Sequence, residues 1–237
     1  LEVGGGVAVA DGLELAAFAL AERSHTRGGA EHLFGPGAPI YGGGVFRAAG
    51  VGARLRLEPR ARGQTAPHGL RLRIEGTVYP AILDATEGFG RASAHVSAVL
   101  GSSPDPGAAL ALRAGADRVF GRAPWHHAAF LGGETTVRGW HEQRFAGDGA
   151  LWGGAEIRLR LLRSHMLVPA SLGVFAFADG GRVFVDGGPE TVEADGWHTG
   201  LGGGLFLRPA GLPYLAQLGV ARSVEATKAF LTVGLPY

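Results

Sequence analysis

The sequence predicts an all-β chain, an antiparallel up-and-down β-barrel that crosses a membrane, on three observations. Apolar and charged residues alternate with period two in segment after segment, the spacing of strands rather than helices. Glycine supplies 42 of 237 residues, a density that disfavours long helices and suits bends and tight turns. Charged residues make up only 18% of the chain against 46% hydrophobic, a low share for a soluble domain.

About twelve strands are predicted, at 2–10, 13–23, 39–48, 51–60, 68–79, 87–101, 109–121, 149–163, 171–184, 196–208, 213–224 and 228–237. In the fourth, Leu55 and Leu57 interleave with Arg54, Arg56 and Glu58, and in the fifth Leu70, Leu72 and Ile74 interleave with Arg71, Arg73 and Glu75. In the seventh, Leu110 and Leu112 precede Arg113 and Asp117. The clearest case is the eighth, with Ile157, Leu159 and Leu161 on one side and Glu156, Arg158 and Arg160 on the other. In the tenth, Leu201, Leu205 and Leu207 face away from His198, Gly202, Gly204 and Arg208. The breaks carry turn chemistry: Asp11-Gly12, Pro104-Asp105-Pro106-Gly107, Asp186-Gly187-Gly188-Pro189 and Gly211-Leu212-Pro213. The stretches 24–38 and 122–148 are long, whereas 48–51 and 209–213 read as tight turns. Short turns on one rim and long loops on the other are the outer-membrane pattern.

The alternation suits two architectures. A soluble β-sandwich turns its apolar side to a core and its charges to water; a membrane barrel inverts this, with lipid outside and a wet lumen inside. The bare Leu, Val and Ala of the apolar faces, and the lack of any lysine before Lys228, favour the barrel. No run approaches the ~20 apolar residues of a spanning helix, but a barrel strand needs only ~9–11. Leu1 is not a start methionine, so the chain is read as a mature or trimmed portion of a longer one.

Other functions are disfavoured by composition and spacing. The formal charge of +1, with no basic block, argues against a nucleic-acid partner. Without cysteine there is no disulfide framework, thiolate metal site or thiol nucleophile. His126 and His127 are adjacent, so in extended chain their rings point apart, and no third ligand follows at zinc spacing. They read as loop-surface residues, and no metal or cofactor is expected. Ser24-His25 and Ser164-His165 lack a nucleophile elbow, so no enzyme is expected. Trp125, Trp140, Trp152 and Trp197 read as interface anchors.

Leu131-Gly132-Gly133, Val137-Arg138-Gly139-Trp140 and Gly154-Ala155-Glu156-Ile157-Arg158 resemble the sixth extracellular loop and following strand of the Omp85 superfamily. Phe177-Ala178-Asp179-Gly180-Gly181-Arg182-Val183 resembles that family's aromatic-x-Asp-x-Gly strand. Phe230-Leu231-Thr232-Val233-Gly234-Leu235-Pro236-Tyr237 resembles its closing strand. The likeness covers 68–237 in detail and 1–67 in general character. It implies residence in the bacterial outer membrane and a role in inserting or translocating other polypeptides. The partners implied are outer-membrane lipids, client outer-membrane or secreted polypeptides and the barrel-assembly machinery. Members have sixteen strands, so the chain is either part of such a barrel or a smaller relative. The whole of 1–237 reads as barrel, with no periplasmic module, and the alternative function is a passive pore or a membrane anchor for a soluble domain fused upstream.

The resemblance also points to a clamp. Arg138 lies on a loop long enough to fold into the barrel, and Glu156 and Asp179 sit on the next two strands. A guanidinium fork suits bidentate pairing with such carboxylates. Val137, Arg138, Gly139 and Trp140 are thus expected to lock the loop inside, against Glu156 and Asp179, with Gly132, Gly133 and Gly139 permitting close backbone approach. In the last strand, Ala229, Leu231, Val233, Leu235 and Tyr237 share a face that meets lipid. Phe230, Gly234, Leu235 and Tyr237 mark the terminal signal read by assembly machinery, on a strand expected to close against the first. Gly219, Gly234 and Pro236 are read as weakening its pairing.

Overall fold

The computed structural model describes residues 1–26, 41–58, 69–101, 107–164, 169–186, 196–210 and 214–234. The strands are β1 (Glu2–Ala10), β2 (Leu13–Thr26), β3 (Gly44–Leu57), β4 (Gly69–Tyr79), β5 (Phe89–Gly101), β6 (Ala108–Gly121), β7 (Ala129–Leu131), β8 (Phe145–Gly147), β9 (Gly149–Ser164), β10 (Ala170–Phe184), β11 (His198–Pro209), β12 (Leu215–Arg222) and β13 (Thr227–Gly234). Eleven of them form one antiparallel sheet in chain order, β6 pairing directly with β9, while β7 and β8 pair only with each other. This is the predicted up-and-down topology. The connections at one end of the sheet include 11–12, 102–107 and 210–214, and those at the other include 80–88 and 122–148. Two connections break the short-rim, long-rim rule: 58–68 on the first side and 223–226 on the second.

The faces are inverted relative to a soluble protein. On β9, Ile157 and Leu161 are 56% and 66% exposed, whereas Glu156 and Arg158, on either side of Ile157, are buried. On β4 the exposed side carries Leu70, Ile74 and Val78, and on β13 Leu231 and Val233. Aliphatic side chains laid out this way over many strands are inconsistent with a sandwich core, which would bury them. The chemistry that stabilises such a face is an acyl-chain environment. Arginine at Ile157, midway along β9, is therefore expected to cost about 2–4 kcal/mol if β9 crosses the bilayer centre. The folded fraction in lipid, read by electrophoretic mobility before and after boiling, checks this; a variant that folds as well as wild type would contradict the inversion.

The inner face is aromatic as well as charged. Phe175, Phe177, Phe206 and Phe230 form one buried cluster, and Phe46, Tyr79 and Phe89 another. Most of the packing lies over β6 and β9–β13, where the 122–148 segment fills the concave side; β1 is exposed along its whole length.

Three expectations are corrected. The segments 39–48 and 51–60 do not form two strands about a turn. Gly44–Leu57 is one strand, paired without interruption to β2, so the sheet has eleven strands. Gly50 and Gly52 signal close packing instead: a Cβ on Gly52 would lie 2.4 Å from Phe18 Cζ, and one on Gly50 2.8 Å from the Val78 carbonyl oxygen. Second, β13 does not pair with β1. In an alternating sheet of eleven, its two edge strands run the same way, and an antiparallel closure between them is geometrically unavailable. Third, Trp140 and Trp152 are buried on the concave side rather than placed as interface anchors. Trp197, by contrast, is exposed.

Candidate functional site

The 122–148 segment is built to pack against a wall. It enters through Pro124 and a short 3-10 turn, Trp125–His127. It then forms the β7–β8 hairpin, whose register pairs Ala129 with Gly147 and Leu131 with Phe145. Leu131, Val137, Trp140 and Phe145 bury themselves with Val119, Trp152 and Val183 of the sheet. Burying Leu131 alone contributes about 1.5–3 kcal/mol. Gly132 and Gly139 have φ of 114° and 95°, left-handed values that a side chain would strain. These turns let the chain reverse between β7 and β8 and present Arg138 downward to the sheet.

Arg138 lies at the centre of the cluster, 5% exposed. Its Nε donates to Asp179 Oδ2 at 2.7 Å and its Nη2 to Asp179 Oδ1 at 3.0 Å, a bidentate fork. Its backbone N–H also donates to Asp179 Oδ2, at 3.2 Å. Nη1 donates to Glu156 Oε2 at 2.7 Å. The guanidinium carbon stands 3.5 Å from the centroid of the Phe177 ring, a cation–π contact in a desolvated setting. The sheet register explains the convergence. Phe177 on β10 lies opposite Glu156 on β9, and Asp179 follows two residues along on the same face. The predicted residues Val137, Arg138, Glu156 and Asp179 thus meet, and both carboxylate side chains are fully shielded from solvent. Trp140 anchors the far side of the turn through Nε1 donating to the Thr199 carbonyl at 3.0 Å.

Several residues of the cluster are not evident from the sequence. Arg113 on β6 donates through Nη2 to Asp179 at 2.9 Å, and through Nη1 and Nη2 to the carbonyls of Glu134, Thr135 and Thr136. Arg158 Nε and Gln217 Nε2 each donate to Glu156 Oε1 at 2.7 Å. Three guanidinium groups therefore surround two carboxylates, and each carboxylate is shared. The period-two pattern places Arg113 and Arg158 inward but does not reveal which acid each meets. Two glycines complete the fit. A Cβ on Gly200 would stand 1.9 Å from the Arg138 carbonyl oxygen, and one on Gly154 2.1 Å from Asp179 Oδ1. The first admits the loop backbone and the second admits the carboxylate.

The loop is also tied to the last hairpin. Ser223 Oγ donates to the Gly139 carbonyl at 3.0 Å, and Thr232 Oγ1 to Glu134 Oε2 at 3.0 Å. At the turn between β12 and β13, Glu225 accepts from Arg144 Nε at 2.8 Å and contacts His141 at 3.0 Å. The Arg144 hydrogen bond, more than any other influence, holds the Glu225 carboxyl below its ordinary range. Of the terminal-strand residues, Phe230 faces inward and is buried, and Gly234 ends β13 opposite Leu215. Leu235 and Tyr237 lie outside the described residues, as does Pro236. Gly219 does not weaken pairing, because β12 and β13 pair continuously from Leu215 to Arg222. A Cβ there would stand 2.8 Å from both Phe175 Cζ and Phe230 Cζ, so this glycine makes room for two rings.

The histidines at 126 and 127 are not on a loop surface. The 3-10 turn replaces the extended chain assumed from sequence, and their ring centroids lie 4.8 Å apart. His127 is buried, and its Nε2 lies 2.6 Å from Glu22 Oε1 on β2.

These features define a class: an antiparallel barrel wall, apolar outside, with a long segment clamped by charge to its inner face. Two solved structures share the fold. BamA from Haemophilus ducreyi lacking POTRA domains 1-3 matches over 98% of this chain and 53% of its own, with a TM-score of 0.67 and 13% identity. CdiB from Escherichia coli matches over 93% of this chain and 44% of its own, with a TM-score of 0.60 and 16% identity. The likeness establishes the fold, which is the one implied by the Omp85 resemblance. The chain spans about half the length of these structures. No protein-family model and no curated protein matches the sequence.

Proposed function

We propose that this chain forms part of an Omp85-type barrel in a bacterial outer membrane, and that the barrel inserts or translocates other polypeptides without catalysing a covalent reaction. The observation that carries the reading is the buried Arg138 fork on Asp179 and Glu156, set in a wall whose outer side is apolar. A passive pore needs a wet bore but no loop fastened by a buried arginine to two buried acids that two further arginines also contact. The costs of desolvating those charges are large, so the arrangement reads as a positioned working part. The BamA-like fold supports the same reading. The clients are unfolded outer-membrane or secreted polypeptides, and the surrounding partners are outer-membrane lipids and assembly machinery.

The test is reconstitution of the full-length protein in liposomes, followed by addition of a urea-unfolded outer-membrane barrel. Its rate of folding into the membrane is read by protease protection. Faster folding with the protein than with empty liposomes, and loss of the gain on Arg138→Ala in protein that still inserts, is the expected result. Equal rates with and without the protein, together with solute leakage, would assign the alternative role of passive pore.

A further inference from the structure

We propose that Glu22, His126 and His127 form a divalent transition-metal site, of the zinc class, that fastens the inserted segment to β2. The cluster lies apart from the Arg138 clamp, and its ligand chemistry is independent of the proposed function. Glu22 belongs to β2, with its side chain turned to the concave side, while both histidines come from the 3-10 turn that opens the inserted segment. One donor atom from each residue falls within 4.8 Å of the other two. Two imidazoles and a carboxylate are a ligand set that suits zinc with a fourth position open to water or another ligand.

The spacing fits an ion between the groups. Tetrahedral ligation at 2.0–2.1 Å places neighbouring donor atoms roughly 3.3 Å apart. His126 Nε2 stands 3.6 Å from Glu22 Oε1, and His127 Nε2 stands 2.6 Å from it. The second contact is a hydrogen bond that an ion replaces by moving the pair apart by about 0.7 Å on the same geometry. The first is too long for a strong hydrogen bond. Both ring nitrogens of His126 are buried and lack a hydrogen-bond partner among the described residues. Buried polar atoms without partners are rare, and a metal–nitrogen bond supplies the missing one.

The surroundings hold the turn in place. His127 packs edge-on against Tyr79 and Phe89, with centroids 4.9 and 5.0 Å away, and His126 against Phe46 at 5.5 Å. Gly42 has φ of 84°, and a Cβ on it would lie 2.3 Å from Pro124 Cβ, so the turn seats directly on this backbone. An access route exists as well. His127 borders a cavity on the concave side, also lined by Tyr79, Thr77, Arg91 and Asp117.

The experiment is calorimetric titration of Zn²⁺ into chelator-stripped, full-length protein in detergent, repeated for Glu22→Gln, His126→Ala and His127→Ala. His141→Ala serves as the control for a histidine outside the site. One ion per chain is expected for wild type and the control. Each of the three ligand variants should bind at least about 100-fold more weakly, since loss of even an outer partner costs 10–100-fold. Mobility before and after boiling confirms that each variant is folded; if His126→Ala fails that check, Glu22→Gln, which keeps both rings, decides the matter. Bound zinc should also slow proteolysis within the inserted segment in wild type and not in Glu22→Gln. No stoichiometric zinc binding, or binding unchanged in folded Glu22→Gln, overturns the proposal.

Discussion

Replacing Arg138 with alanine is expected to release the inserted segment from the wall, so that protease cleaves within 122–148 in folded protein where wild type is protected. Arg138 makes four hydrogen bonds to two carboxylates from the centre of the segment, of which only the backbone one survives the change. Breaking a buried pair by removing one partner typically costs about 3–5 kcal/mol. The lower part of that range applies here, because neither acid is stranded: Asp179 keeps Arg113, and Glu156 keeps Arg158 and Gln217. Asp179→Ala should cost more. It removes the acid that both Arg113 and Arg138 share and leaves Glu156 to face the Arg138 guanidinium. Arg138→Lys should recover only part of the protection, since an ammonium cannot span Asp179 bidentately while also reaching Glu156. Protection that is identical in Arg138→Ala and wild type would show that the apolar contacts of Leu131, Val137 and Trp140 hold the segment without the charges.

The second large effect is expected from the smallest change. Gly200→Ala adds one methyl group on the inner face of β11, where the Arg138 carbonyl oxygen would stand 1.9 Å away. Backbone, not a flexible side chain, opposes it, so the loop must move off the sheet. Overpacking of this kind costs about 1–3 kcal/mol or occasionally more. The displacement carries the guanidinium with it, and the fork to Asp179 cannot remain at 2.7 and 3.0 Å. Gly200→Ala should therefore reproduce the protease sensitivity of Arg138→Ala with every charged residue intact. Combining the two should add little beyond either alone, because both act on one contact. By comparison, Gly76→Ala on β4 adds a methyl group to open space and should be silent. An equally silent Gly200→Ala would mean that the loop does not lie against β11.

The architecture was legible in the sequence because a β-strand writes its two environments at alternating positions. Ile157 against Glu156 and Leu231 against Phe230 are readable as opposite faces with no partner strand in view, and glycine density removes the helical alternative. Spacing along the chain also located the loop with Arg138 and, through the family resemblance, its two acids. What alternation could not distinguish was a glycine that bends the chain from one that admits a ring. Gly50 and Gly52 look like a turn when read locally, and only the presence of Phe18 and Tyr79 on neighbouring strands explains them. Gly219, which locally reads as weakening a strand, likewise makes room for the rings of Phe175 and Phe230.

Partnership across strands belonged to the tertiary structure alone. Arg113 meets Asp179 across 66 positions of chain, and Gln217 meets Glu156 across 61, because sheet register brings distant residues to one height and no local pattern encodes that register. Adjacent histidines diverge in an extended chain, yet one 3-10 turn directs both toward a glutamate more than 100 positions away. The sequence by itself determined which side of each strand is greasy and which is charged, since side-chain period is a property of the backbone. Which charges touch was decided only when eleven strands took their places beside one another, since electrostatic contact depends on distance in space.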